Sequence, residues 1–153
     1  LADLAKEKTD AGARVSFLAD EGVFRAVRQL QRDNRIIPVV GNLAGDKAFV
    51  AMGKLLARRG EHVSTVYTSN VEQYVFAPAD WKAWRRNLAA LPLAPNALLL
   101  RVYFDQGRKH PAERAGHRTV SLAHDAGRFL QRAEAPGYRS WFDVATDESL
   151  VLR

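Results

Sequence analysis

A three-layer α/β/α fold with a small, mainly parallel sheet of about three to four strands is what this sequence predicts, and three observations predict it. Ile36-Ile37-Pro38-Val39-Val40 is a short apolar run that ends in a glycine loop, Gly41-Asn42-Leu43-Ala44-Gly45-Asp46. An amphipathic stretch follows as far as Arg59-Gly60 and leads into a second β-prone run, Val63-Ser64-Thr65-Val66-Tyr67, which itself ends in polar Thr68-Ser69-Asn70-Val71-Glu72. Ala97 to Phe104 supplies a third run, apolar on both alternations except at Arg101. Strand, helix, strand in that order is a βαβ unit. Its helical crossover makes the two strands parallel and brings both polar loops to one edge of the sheet, where open α/β folds bind their ligands.

Taken in order, residues 1–9 have the character of the last turns of a helix, followed by a turn at Asp10-Ala11-Gly12. Asp20 is placed to cap a helix that carries Val23, Phe24, Val27 and Leu30 on one face and stops at Asp33-Asn34. The first strand, 36–41, contains Pro38, which removes a ladder donor and points to a short, bulged or edge strand. The helix after Gly45 buries Phe49, Val50, Met52, Leu55 and Leu56, keeps Lys47, Lys54, Arg58 and Arg59 outside, and ends at Gly60. A strand over 62–68 comes next. Ser69 and Glu72 have the spacing of a capping box for a helix to about Phe76, and Tyr74 reads as a packing residue. Pro78-Ala79-Asp80 opens a helix with Trp81, Trp84 and Leu88 on one face, closed by Pro92 and Pro95. The strand 97–104 is apolar enough to be covered on both faces. Residues 105–118, with Gly107, Pro111 and Gly116, are expected to form a loop that is mobile or ordered by a ligand. Thr119 to Ala133 returns to helical spacing through Val120, Leu122, Ala126, Phe129 and Leu130 and stops at Pro136-Gly137; Ser140 caps a last aromatic helix with Tyr138, Trp141, Phe142 and Val144.

Composition narrows the function classes. A chain of 153 residues, 47% hydrophobic and 26% charged, fits one soluble α/β domain over 1–153. Without cysteine there is no disulfide framework, thiolate metal site or cysteine nucleophile. No apolar run approaches the roughly 20 residues that cross a bilayer as a helix, so no membrane partner is expected, and compartment stays open. The first residue is not Met and the one methionine is Met52, which suggests a processed product or a piece of a longer protein. A net charge of +6 suits an acidic partner or nucleic acid. The basic character concentrates in one loop, where Arg108, Lys109, Arg114, His117 and Arg118 form a candidate anion-binding set.

Several residues carry candidate chemistry. Gly41 to Lys47 could cradle an anion with backbone N–H groups at a helix start, but it has neither the P-loop nor the G-x-G-x-x-G spacing, and a tight turn with Asp46 complementing the helix dipole accounts for it as well. Thr68, Ser69, Asn70 and Glu72 could hold a polar substrate, while the capping box accounts for Ser69 and Glu72 without one. Arg101, inside an apolar strand, is costly to bury unpaired and must meet Glu72, Asp46 or a bound anion. His62, His110, His117 and His124 lack the spacing of a zinc pair, so no metal is expected; His117 is the histidine to test as an acid or base, and His124 falls mid-helix in a structural position. The serines lack a G-x-S-x-G elbow.

Pro38 to Ala48 and Tyr67 to Tyr74, with Phe17 to Glu21, Leu30 to Asn34 and Gly116 to Thr119, resemble an uncharacterised bacterial family, a domain of unknown function in longer proteins with a methyltransferase-like Rossmann architecture. The resemblance spans most of residues 9–145 and implies that this chain is the C-terminal, substrate-side half of a Rossmann-like fold, with the glycine-rich nucleotide loop lying upstream. Family members often have aspartate at the position of Asn42 and proline at that of Asp46. By this analogy S-adenosylmethionine would be a cofactor of the full-length protein rather than of this chain. A pocket would then form from Gly41, Asn42, Thr68, Ser69, Asn70, Glu72 and Arg101, with Asn42 orienting a substrate, Glu72 accepting from a hydroxyl or amine, and Arg101 holding an anionic group. The alternative expectation is a non-catalytic module that binds an acidic partner or nucleic acid through the basic loop at 105–118.

Overall fold

The computed structural model describes residues 5, 6, 8–134 and 137–151. The chain divides into two compact units, Leu1–Val40 and Gly41–Arg153. The helical end expected over residues 1–9 falls largely outside the described residues, as does the stop at Pro136.

The first unit is built on helix α1, Glu21–Arg32. The Asp20 side chain accepts the Val23 N–H at 2.8 Å, which satisfies one of the donors that a helix start leaves open. Asn34, in the left-handed region at φ 52°, turns the chain away after the last turn. Residues 36–40 are not a strand, and this corrects the expectation for 36–41. Ile36, Ile37, Val39 and Val40 are all exposed. Extended propensity alone does not make a strand. A ladder needs partners, and Pro38 cannot donate to one.

The second unit is an α/β assembly around a three-stranded mixed sheet in the order β1-β2-β3, where β1 is Val63–Ser69, β2 is Leu93–Phe104 and β3 is Thr119–Asp125. Helix α2, Ala48–Arg58, precedes the sheet and ends before Gly60, whose φ of 66° suits glycine. β1 and β2 run parallel, pairing Thr65 with Leu98, Val66 with Leu99 and Tyr67 with Leu100. Between them lie a single turn of 3-10 helix, Val71–Tyr74, and helix α3, Pro78–Ala89, whose first position is the proline that needs no intrahelical donor there. Parallel strands do lie side by side, but the pair is 63–69 with 93–104 rather than 36–41 with 62–68. Pro95 sits inside β2 and does not close the preceding helix; it falls in the irregular stretch between the Val63–Leu93 and Thr65–Leu98 pairs, where a missing N–H costs the ladder least.

β3 pairs antiparallel with β2 from Leu98–Asp125 to Phe104–Thr119, so the sheet is mixed rather than mainly parallel. This also corrects the helix expected from Thr119 to Ala133. Val120, Leu122 and His124 alternate as a strand requires, and helical spacing starts only where Asp125 accepts the Arg128 N–H at 2.7 Å to open α4, Ala126–Arg132. α5, Trp141–Ala145, begins at Ser140, whose Oγ accepts the Asp143 N–H.

The core of this unit joins one face of β2 to the inner faces of the helices. Ala97, Leu99, Arg101 and Tyr103 are buried, whereas Leu98, Leu100 and Val102 on the other face are only partly covered. Trp84 and Leu88 of α3, Phe129 of α4 and Val144 of α5 complete the core, and Trp81 meets Phe129 edge to face at 5.8 Å. Tyr74, expected to pack, is 71% exposed, because the 3-10 turn points it outward. Among the described residues no helix is long and apolar enough to cross a membrane.

Gly53 is the buried residue of α2, and a Cβ there would overlap the backbone carbonyl oxygen of Ala90 at the end of α3. Helix propensity alone would make Gly53→Ala stabilising by about 1 kcal/mol. Overpacking against an immovable backbone atom costs about 1–3 kcal/mol and should win. Urea denaturation of Gly53→Ala is expected to show a net loss of stability; a higher midpoint would refute the close helix approach.

Candidate functional site

Thr68, Glu72 and Arg101 of the expected pocket come together in a closed cluster. Parallel pairing sets Ser69 of β1 beside Arg101 of β2, and the turn after β1 folds Glu72 back beneath the sheet. Arg101 donates to Glu72 twice, Nε to Oε2 at 2.6 Å and Nη2 to Oε1 at 2.8 Å. Thr68 Oγ1 donates to Oε2 at 3.0 Å and Trp84 Nε1 to Oε1 at 2.9 Å, so each carboxylate oxygen has two donors. The guanidinium lies over the Phe129 ring, 4.1 Å from its centroid, and 5.8 Å from that of Trp141. Glu72 is 0% and Arg101 1% exposed. Of the partners that the sequence left open for Arg101, Glu72 is the one it meets.

Arg101 Nη1 also lies 3.0 Å from His124 Nδ1. A guanidinium can only donate, so Nδ1 accepts and the imidazole carries its proton on Nε2. That Nε2–H is buried and has no partner among the described residues. Burial, helped by the Arg101 charge, pushes the His124 pKa down to about 4. Trp84 and His124 were missed as members of this cluster. The first was assigned only to packing, and the second was placed on a helix, whereas in β3 it sits diagonally across from Arg101 through the Leu99–His124 and Arg101–Leu122 pairs.

The other expected pocket residues serve the backbone. Ser69 takes a left-handed φ of 52° and Asn70 precedes the 3-10 turn without a side-chain cap, so the capping box does not form. Gly41 approaches α2 so closely that a Cβ would overlap that of Ala48. Asn42 Oδ1 accepts the Ala44 N–H at 2.9 Å, and the buried Asn87 of α3 donates its amide to Leu43 O and Gly45 O. No hydrogen bond among the described residues links this turn to the Glu72–Arg101 cluster.

The loop at 105–118 joins the antiparallel strands β2 and β3 and is fastened at several points. Asp105 N–H donates to Arg118 O at 2.8 Å, and Tyr103 Oη donates to Arg108 O at 2.6 Å. His110 is buried; its Nδ1 accepts the Ala112 N–H, which leaves Nε2 to donate to Ala145 O at 3.0 Å. Lys109, Arg114, His117 and Arg118 line a recess of about 540 Å³ together with Asp105 and Glu113. Arg108 is not among its lining residues, and its guanidinium stacks on Phe142 at 3.4 Å. Lys109 reaches Glu113 only at 4.0 Å, and Glu113 Oε2 is buried with no partner among the described residues. Among the described residues no group of three or more His, Asp or Glu side chains is placed to hold a metal ion.

A family model described as a domain of unknown function (DUF7790) matches residues 1–149. The chain belongs to this family. No curated protein matches the chain. Membership therefore agrees with the expected domain of unknown function and brings no activity with it.

The buried cluster has a measurable cost if broken. Arg101→Met should destabilise the protein by about 3–5 kcal/mol, since it strands a buried carboxylate, and adding Glu72→Leu should recover much of that loss. Equal destabilisation by the single and double variants in chemical denaturation would refute the pairing. The depressed His124 pKa works in the same region. Between about pH 6.5 and 4 the unfolded histidine binds a proton that the folded one does not, so stability should fall as pH drops through that window. His124→Gln should flatten that part of the melting-temperature profile, and an unchanged slope would place the proton uptake elsewhere.

Proposed function

We propose that this protein is a non-catalytic binding module that takes the anionic groups of an acidic partner or nucleic acid in the recess of the β2–β3 loop. One observation carries the reading. Arg114 and Arg118 line an open recess without a carboxylate partner among the described residues, whereas Arg101, the cation expected to hold a substrate anion, is neutralised inside the core. Lys109 extends the same cationic wall beside His117, and the acidic residues Asp105 and Glu113 in the lining would favour an anion bearing a hydroxyl or amine.

A second reading is the substrate-side half of an S-adenosylmethionine-dependent, methyltransferase-like fold, with Gly41, Asn42, Thr68, Ser69, Asn70, Glu72 and Arg101 around its pocket. The parallel β1–β2 pair favours it, since Ser69 and Arg101 lie side by side near the carboxyl end of β1. Against it stand the absence of a strand at 36–40 and the mutual saturation of Glu72 and Arg101. Heat release on titrating S-adenosylmethionine into the full-length gene product would favour that reading over the first.

Fluorescence anisotropy with a labelled single-stranded oligonucleotide and a labelled polyglutamate peptide tests the binding reading. Affinity should fall with salt, roughly tenfold or more between 50 and 200 mM for about three neutralised phosphates. The combined Arg114→Ala and Arg118→Ala variant should lose binding, while Arg108→Ala, outside the recess, should change it little. Full affinity in the double variant would reject the proposal.

A further inference from the structure

A groove separate from the loop recess runs along α3. Pro78, Trp81, Lys82, Arg85, Arg86 and Ala89 line it at intervals of three and four residues, a single stripe about 16 Å long at 1.5 Å per residue. Phe76, Leu130 and Tyr138 complete its apolar wall, and its volume is about 710 Å³. That size suits a small ligand.

The charge along this groove is one-sided. Among the described residues, Lys82, Arg85, Arg86 and Arg139 line it against one carboxylate, that of Glu134. Arg86 is already committed, since it donates to Asn87 Oδ1 and to Gly45 O. Arg85 is not. Its Nε is buried and has no acceptor among the described residues, and leaving a guanidinium donor unsatisfied away from water is costly. The groove thus offers an apolar floor with the Arg85 guanidinium, which makes no hydrogen bond or ion pair among the described residues, in its lining.

We propose that this groove binds a single-chain amphipathic carboxylate of the fatty-acid type, its chain on Trp81, Ala89 and Leu130 and its carboxylate on Arg85. A flat polar anion would leave the floor uncovered, and a neutral chain would leave the excess positive charge of the lining without a counter-charge. A chain that ends in a carboxylate meets both needs, and the carboxylate accepts from a guanidinium in the geometry that arginine favours.

Titration calorimetry with dodecanoate below its micelle concentration tests this on the whole chain. One molecule should bind, Arg85→Gln should weaken binding at least tenfold, Ala89→Trp should block it, and dodecyltrimethylammonium should not bind. Equal binding of the cationic chain, undiminished affinity in both variants, or no heat with dodecanoate would each overturn the proposal. Amide chemical-shift mapping on the unmutated protein gives a readout that needs no variant. Dodecanoate should shift residues of α3 and α4, and shifts confined to other elements would overturn the assignment.

Discussion

The doubly hydrogen-bonded pair of Glu72 and Arg101 is the constraint on which the second unit turns. A carboxylate and a guanidinium with almost no exposure are tolerable only when every strong site on them is met, because desolvating each ion costs several kcal/mol before their attraction returns anything. That requirement fixes more than two side chains. Glu72 must come from the turn after β1, Arg101 from the middle of β2, Trp84 from α3 and His124 from β3, so a single cluster ties the three strands to the helix that connects two of them. The aromatic faces of Phe129 and Trp141 add cation–π attraction from α4 and α5. A hydrophobic core alone would tolerate small slips between these elements. A bidentate ion pair with distances below 3 Å does not.

The same cluster explains why legibility varies along the chain. Three helix starts were readable from the residue that stands there: Asp20, which accepts from Val23, Ser140, which accepts from Asp143, and Pro78 at the first position of α3. The buried stripe of Trp81, Trp84 and Leu88 was readable from its period. The strand at 36–41 was misread because Ile and Val show the tendency to extend and not the presence of a neighbour to pair with. β3 was missed for the converse reason. Val120 and Leu122 are two apart, which is strand spacing, but they run without a break into Ala126, Phe129 and Leu130, which is helix spacing, and the boundary rests on one cap at Asp125. The capping box at Ser69 and Glu72 had the right residues at the right interval, yet a long-range partner outbid the local one: two charged bonds to Arg101 are stronger than one reciprocal bond to a backbone N–H.

Of the candidate sites, the necessity of an Arg101 partner was legible and its identity was not, since a strand register cannot be known before the strands are. The cations of the 105–118 loop were legible as a group from composition, but geometry separates them. Arg108 is spent on Phe142, while Arg114 and Arg118 line the recess, Arg118 with one bond to Asp105 O. The α3 groove left no motif at all, because its cations, Lys82, Arg85 and Arg86, look in sequence like the solvated side of an amphipathic helix. Only the neighbouring α4 and Tyr138 turn that side into a wall.

These placements bear on how a net charge of +6 is used. A cation inside the core contributes nothing to the outer field once its carboxylate is bound to it, so Arg101 and Glu72 cancel at close range. Part of what remains outside in the second unit lines two concave surfaces, and in a concavity with low-dielectric walls a few charges act on a ligand more strongly than the same charges spread over a convex face. The two surfaces differ in what surrounds the charge. The loop recess counts the acidic residues Asp105 and Glu113 in its lining, whereas the α3 groove is floored by aromatic and aliphatic carbon. Since the favourable part of apolar binding scales with the carbon area removed from water, only the groove can reward a hydrocarbon chain, and only the recess can reward an anion that brings its own donors.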